Sequence, residues 1–303
     1  MLQGSGQRII SNFNHNTLAR FKAKLFPLLV FGMIWMFSCQ KPGLPLPPTA
    51  ASSRYPNLTE TDRGLAIIWF EPFQEGHALK WSEFNGRTWS NPVIITSGRD
   101  YFINWADFPS VFYNGKNHFV VHWLEKNGIG PYDYVIKVTQ SHDRGRSWST
   151  PIVPHRDKKK GEHGFVSFYN VNNNKIGLVW LDGRNMLIDG HEVRYGQMSL
   201  YSTTIDNNGG LGKEILLDDR VCECCPTTAA EIGNEILVAY RDRSLSEIRN
   251  INLVRWENGK WKNPKPLHDD NWKIAGCPVN GPKLAVKGNN VAAIWYTSPD
   301  NQP

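Results

Sequence analysis

The sequence predicts an all-β propeller, and three observations carry that reading. Short apolar runs ending in an aromatic recur along the chain: Ile67-Ile68-Trp69, Val120-Val121-His122-Trp123, Leu178-Val179-Trp180, Leu237-Val238-Ala239-Tyr240 and Ala293-Ile294-Trp295. Their aromatics are separated by 54, 57, 60 and 55 residues. A second series repeats in step, because Asn85–Pro92, Ser141–Pro151 and Asn258–Pro264 all end in W-x-x-P. Finally, no helical periodicity of useful length competes, and 12 Trp with only 20% charged residues suit a sheet protein with a sizeable core. A period of this size, built from short strands and Gly/Asn turns, is that of propeller blades, each of which buries its faces only against its neighbours.

The elements follow in order. In each repeat the aromatic-terminated run is the second strand, and the W-x-x-P turn separates the third strand from the fourth. The first repeat holds Ile67–Trp69 and Asn85–Pro92, and the second holds Val120–Trp123 and Ser141–Pro151. In the third, Leu178–Trp180 is followed by a degenerate turn, Asp206-Asn207-Asn208-Gly209-Gly210. The fourth holds Leu237–Tyr240 and Asn258–Pro264, and the fifth shows only its first half, around Trp295. About four and a half blades are therefore expected.

The turn Ser141-His142-Asp143-Arg144-Gly145-Arg146-Ser147-Trp148 reads S-x-D-x-G-x-x-W. Asp143 is suited to bond nearby backbone N–H groups, Gly145 tolerates positive φ, and Trp148 buries a large ring beside the turn. The segment resembles the Asp box of the bacterial sialidase-like families, where it marks a blade turn and is structural. The resemblance covers roughly residues 54–299. It implies a six-bladed propeller of the sialidase type, C-terminally incomplete in this chain.

The ends carry further expectations. Basic residues precede a 14-residue apolar run, Leu25–Ser38, and then Cys39. Such a run is short for a spanning helix and right for a signal sequence. Met36-Phe37-Ser38-Cys39 resembles a bacterial lipobox with Cys39 lipidated. Residues 1–38 are thus read as a lipoprotein signal peptide, 39–53 as a Pro/Ser-rich tether, and 54–303 as the propeller. The expected location is the bacterial cell envelope, anchored to the membrane and facing either the periplasm or the cell surface. The net charge of +6 includes Arg8, Arg20, Lys22 and Lys24 of the leader. The remainder carries no basic stripe, which argues against nucleic acid as a partner. A monomer is expected.

Blade geometry predicts where chemistry gathers. Loops before the first strand and after the second open on one face near the axis, while the Asp-box turn lies on the other. After the second strand an aromatic-x-acid pattern recurs as Trp69/Glu71, Trp123/Glu125, Trp180/Asp182 and Tyr240/Asp242, and each acid could simply cap its loop. Asp182, Asp242 and Glu247 are the catalytic candidates. Arg184, Arg241, Arg243 and Arg249 are candidates to bind a carboxylate, since guanidinium pairs with it bidentately. Before the first strands, Glu162-His163 is placed to line a pocket. His122, inside a strand, is read as a core histidine, and His142 as solvent-facing.

Sialidases use an arginine triad on the substrate carboxylate, a Tyr–Glu pair as nucleophile and an Asp as acid/base. The resemblance therefore implies recognition and hydrolysis of sialic-acid or other acidic glycans by an exo-α-sialidase-type enzyme. Arg54-Tyr55-Pro56-Asn57-Leu58 matches the family's first arginine motif as R-x-P-x-L, which adds Arg54 to the binding candidates. No nucleophilic tyrosine is identified, and Tyr296 is a poor substitute. A non-catalytic propeller that binds a glycan or partner is the alternative.

Cys222, Cys224, Cys225 and Cys277 precede the first strands of adjacent repeats and should be neighbours. Disulfides are one reading, with a bond from the 222–225 cluster to Cys277 stapling two blades. A thiolate site for Cu or Zn is the other, making a metal- or redox-active propeller. The sialidase reading itself requires no cofactor.

Overall fold

The computed structural model describes residues 43–172, 174–189 and 192–299, so the leader and Cys39 lie outside the described residues. The described residues from Pro45 onward belong to one compact unit. Among the described residues no helix is long and apolar enough to cross a membrane.

The strands form antiparallel sheets in chain order. The first blade is β1 (Arg54–Thr61), β2 (Gly64–Phe73), β3 (Gly76–Phe84) and β4 (Val93–Gly98), paired in that sequence. The second is β5 (Ser110–Tyr113), β6 (Phe119–Lys126) and β7 (Tyr134–Ser141), with Ile152 bridging Val138 where a fourth strand would run. The third inserts a hairpin, β10 (Leu187–Asp189) and β11 (Glu192–Tyr195), into a sheet of β8 (His163–Asn172), β9 (Lys175–Asp182), β12 (Met198–Asp206) and β13 (Ile215–Val221). The fourth is β14 (Thr228–Ile232), β15 (Glu235–Arg241) and β16 (Ile251–Glu257), with β17 (Lys260–Trp261) and β18 (Lys265–Pro266) both on β16. A two-stranded sheet of β19 (Lys283–Lys287) and β20 (Asn290–Ile294) follows. The first strands are neighbours in series, β1 with β5, β5 with β8, β8 with β14 and β14 with β19. They therefore line a common axis, and the fold is a partial β-propeller, with four blades and a half among the described residues.

The core lies between blades. Side chains alternate along a strand, so a strand sandwiched on both faces is apolar at every position. In β6, Phe119, Val121 and Trp123 pack towards Ile68, Leu79 and Trp81 of the first blade. The alternate residues Val120 and Leu124 pack towards Leu178 and Trp180 of the third. In β9, Val179 and Leu181 pack towards Val238 and Tyr240 of the fourth. This is why the second strands read as unbroken apolar runs. His122 belongs to the same layer, edge-on to Phe168, with Nδ1 2.7 Å from Ser110 Oγ. Burial pushes its pKa down to about 3, so it is a neutral core imidazole.

The Asp box builds its turn as its residue types require. Ser147 donates from N–H (2.9 Å) and Oγ (2.6 Å) to the Asp143 carboxylate, and Ser141 Oγ donates to it at 2.8 Å. Burial opposes ionisation of Asp143, but these bonds outweigh it and hold the pKa at about 2. The Trp148 ring meets Trp81 of the first blade edge-on at 6.0 Å. Gly145 has φ 76°, and a Cβ there would lie 2.1 Å from Trp81 Nε1. Gly145→Ala is expected to lower stability by roughly 2 kcal/mol, combining left-handed strain with overpacking. Urea unfolding checks this, and a loss below about 0.5 kcal/mol would contradict the contact.

The same turn supplies an inter-blade bond that the motif does not announce. Arg144 reaches Asp62 at 2.9 Å and also pairs with Glu83, both in the first blade. Its Nη1 donates to Asn117 Oδ1 at 3.0 Å.

Candidate functional site on the axial face

The recurring acids after the second strands take different partners. Trp69 Nε1 donates to Glu71 at 3.0 Å and Trp180 Nε1 donates to Asp182 at 2.7 Å, so in these blades the pattern is a strand-end cap. Trp123 Nε1 has no partner among the described residues, and Glu125 pairs with Lys137 at 3.4 Å. Tyr240 donates not to Asp242 but to Asp218, at 2.5 Å. Burial, joined by the charge of Asp218, raises Asp242 to about 6.

Asp182 is fully buried and saturated. Besides Trp180 it accepts from Arg184 through N (2.9 Å), Nε (2.8 Å) and Nη2 (2.6 Å). His163 Nε2 lies 3.6 Å away. Arg184 continues to Glu214 at 2.9 Å and lies over the Tyr201 ring at 4.0 Å. Both nitrogens of His163 face acceptors, Gly161 O at 3.0 Å and Asp157 at 3.1 Å, which assigns it as an imidazolium. Burial disfavours that charge, but Asp157 and Asp182 outweigh it and raise the pKa. His155 stacks on His163 at 3.8 Å and holds the other Asp157 oxygen at 2.6 Å.

The blade-four arginines divide into two roles. Arg241 is 1% exposed and donates to three backbone carbonyls, Asn280 at 2.9 Å, Arg249 at 2.7 Å and Tyr296 at 2.6 Å. These bonds tie the end of β15 to the loops around it. Arg243 and Arg249 share two carboxylates. Arg249 Nη2 holds Glu247 at 2.9 Å, Arg243 Nη2 holds Glu247 at 2.9 Å, and both reach Glu223. Arg54, at the start of β1, is exposed and has no ion pair among the described residues. Arg184 and the Arg243–Arg249 pair thus sit with different acids, Arg241 binds backbone carbonyls, and Arg220 is a charged neighbour of both Asp242 and Glu247.

Other groups do converge at the axis. A cavity of about 320 Å³ lies among the first strands. Its walls carry Asp107, Ser110, Ser167, Thr227, Thr228 and Lys283 together with phenylalanine rings. Gly164 allows the Asp107 side chain to approach β8, since a Cβ there would lie 1.9 Å from Asp107 Oδ2. Asp107 accepts the Phe165 N–H with both oxygens at 2.9 Å, and Phe165 has φ 54° at a bulge of β8. Burial raises the Asp107 pKa well above the usual carboxylate range, with the charge of Glu162 adding to it. Glu162 is 8% exposed and accepts the Tyr134 hydroxyl at 2.9 Å. Burial raises it to about 7 against that hydrogen bond. Burial thus favours the protonated form of both acids.

Sequence reasoning marked Glu162. It passed over Tyr134 and Lys283, although Lys283 opens the first strand of its repeat as the other axial residues do. Cys224 and Cys277 are joined across 53 residues, linking the loops ahead of β14 and β19. Cys222 and Cys225 are free and buried.

No family model and no curated protein matches the chain. Among solved structures, an α-L-arabinanase from Penicillium chrysogenum is similar at 14% identity and TM-score 0.49, covering 82% of this chain and 76% of that one. A protein of unknown function from Dyadobacter fermentans is similar at 14% identity and TM-score 0.49, covering 81% and 79%. A neuraminidase-like protein from A/bat/Guatemala/164/2009 is similar at 13% identity and TM-score 0.44, covering 69% and 53%. The propeller assignment stands on the strand order itself.

Proposed function

We propose that this propeller recognises an acidic glycan in its axial cavity. The observation that carries the reading is Lys283, the one cation among the cavity's lining residues, with no carboxylate partner among the described residues. Around it are hydroxyls and aromatic rings, which suit the edges and faces of a sugar. A volume of about 320 Å³ is at the small end of ligand sites and fits a single ring. Binding without hydrolysis is favoured over catalysis, because Asp107 is the one carboxyl on the cavity wall. Glycoside hydrolysis usually needs two carboxyl groups roughly 5–10 Å apart, or in sialidases a nucleophilic tyrosine, and the cavity's lining residues include no tyrosine. The leader ending at Cys39 supports an exported, lipid-anchored protein that presents this cavity outside the cytoplasm.

Calorimetry with acidic oligosaccharides and their neutral counterparts tests the proposal. Lys283→Ala is expected to weaken the acidic ligand about tenfold or more and leave the neutral one unchanged, while Lys283→Arg retains binding. Partial burial lowers the Lys283 pKa, so acidic-glycan binding should fall as pH rises into the alkaline range. No acidic glycan bound, or binding indifferent to Lys283→Ala, would overturn it. A fluorogenic sialoside is expected to remain uncleaved.

A further inference from the structure

The four described cysteines lie in one cluster ahead of β14 and β19, and their spacing contains a second motif. Cys222-Glu223-Cys224-Cys225 is also a C-x-x-C pair, Cys222 with Cys225, whose sulfurs are 3.4 Å apart. Between them in sequence stands Cys224, bonded to Cys277, with its Sγ 3.9 Å from that of Cys222. Arg249 Nη1 donates to Cys222 Sγ at 3.0 Å. The thiol pair is buried, whereas Cys277 is exposed.

We propose that these residues form an intramolecular dithiol–disulfide relay, in which the bond between Cys224 and Cys277 passes to Cys222 and Cys225. The Cys222 thiolate attacks Cys224 Sγ, the Cys224–Cys277 bond breaks, and Cys277 leaves as a thiolate. Cys225 then attacks Cys222 Sγ and expels Cys224. The Cys225 proton ends on Cys277, and the thiolate charge moves from Cys222 to Cys224. One disulfide and two reduced sulfurs stand on each side, so no external oxidant or reductant enters. Attack at a disulfide sulfur by a thiolate is the ordinary route of exchange.

The charges around the pair suit this direction. The Cys225 S–H bond and the Arg249 guanidinium bring Cys222 down to about 6, whereas its bond to Cys222 and burial push Cys225 up. Cys222 is therefore the attacking sulfur and Cys225 the resolving one. Exchange releases the staple between the loops ahead of β14 and β19. It also frees the segment carrying Asn280, whose carbonyl holds Arg241.

The test treats the intact protein with excess N-ethylmaleimide and no reductant, followed by acid quench and non-reducing tryptic mapping. Cys222, Cys224 and Cys225 fall in the peptide Val221–Arg241, and Cys277 falls in Ile274–Lys283. The expected result is progressive release of Ile274–Lys283 labelled at Cys277, with Val221–Arg241 carrying an internal bond. Cys222→Ser should leave the two peptides cross-linked. In a folded Arg249→Met variant, with every sulfur retained, release should slow about tenfold. A cross-link that persists in the wild-type chain, release that is unchanged in Arg249→Met, or a stoichiometric metal protecting Cys222 and Cys225 would each overturn the relay.

Discussion

Replacing Asp182 with alanine is expected to cost about 3–5 kcal/mol of stability, as removing one partner of a buried ion pair does. The carboxylate accepts from the Trp180 indole and three times from Arg184, with His163 3.6 Å away. Its loss strands an indole N–H and leaves Arg184 with Glu214 and His163 with Asp157 as their remaining acids in a buried layer. Asp182→Asn should cost less, because it still accepts from Trp180 and removes only the charge, while Arg184 keeps Glu214 and His163 keeps Asp157. Chemical denaturation checks both, and a loss for alanine below about 1 kcal/mol would show that the cluster relaxes into water. His163 adds a pH signature. Its raised pKa contributes stability that is complete below the unfolded value near 6.5 and is lost as pH rises through the folded value. That alkaline loss should weaken in Asp182→Ala.

Glu162→Gln is expected to stabilise the protein at pH 8 and to remove a slope from its stability profile. The folded carboxyl has a pKa of about 7 against an ordinary 4.5, so the folded state holds the proton more tightly than the unfolded one. Stability of the wild-type chain should therefore fall as pH rises from about 4.5 to about 7 and then level off. At about 1.4 kcal/mol per pH unit, the total is roughly 3.5 kcal/mol. Glutamine keeps an acceptor for the Tyr134 hydroxyl and does not ionise. The variant should match wild type near pH 4.5 and exceed it at pH 8. Equal slopes for the two proteins would place the titration elsewhere.

These expectations depend on partners that the sequence does not display. The aromatic-x-acid repeat was legible as a pattern, yet it caps the indole in two blades, leaves Trp123 Nε1 without a partner among the described residues in a third, and directs Tyr240 to Asp218 in the fourth. The arginines after the second strands were legible as a group near the axis. Whether a guanidinium binds backbone, as Arg241 does, or carboxylates, as Arg243 and Arg249 do, depends on which neighbouring loop it meets. Lys283 looked like any strand-opening lysine.

The sequence by itself determined the blade period, its phase, and the turn chemistry of Ser141–Trp148. Those follow from local rules, because alternation, turn residues and a buried tryptophan act within a few positions. The tertiary structure alone decided which charges meet. Arg144 finds Glu83 from 61 residues away, Tyr134 finds Glu162 across a blade joint, and Asp107 reaches Phe165 through the space left at Gly164. Such pairs arise where successive blades pack around the axis, and their pKa values follow from burial that no single repeat possesses.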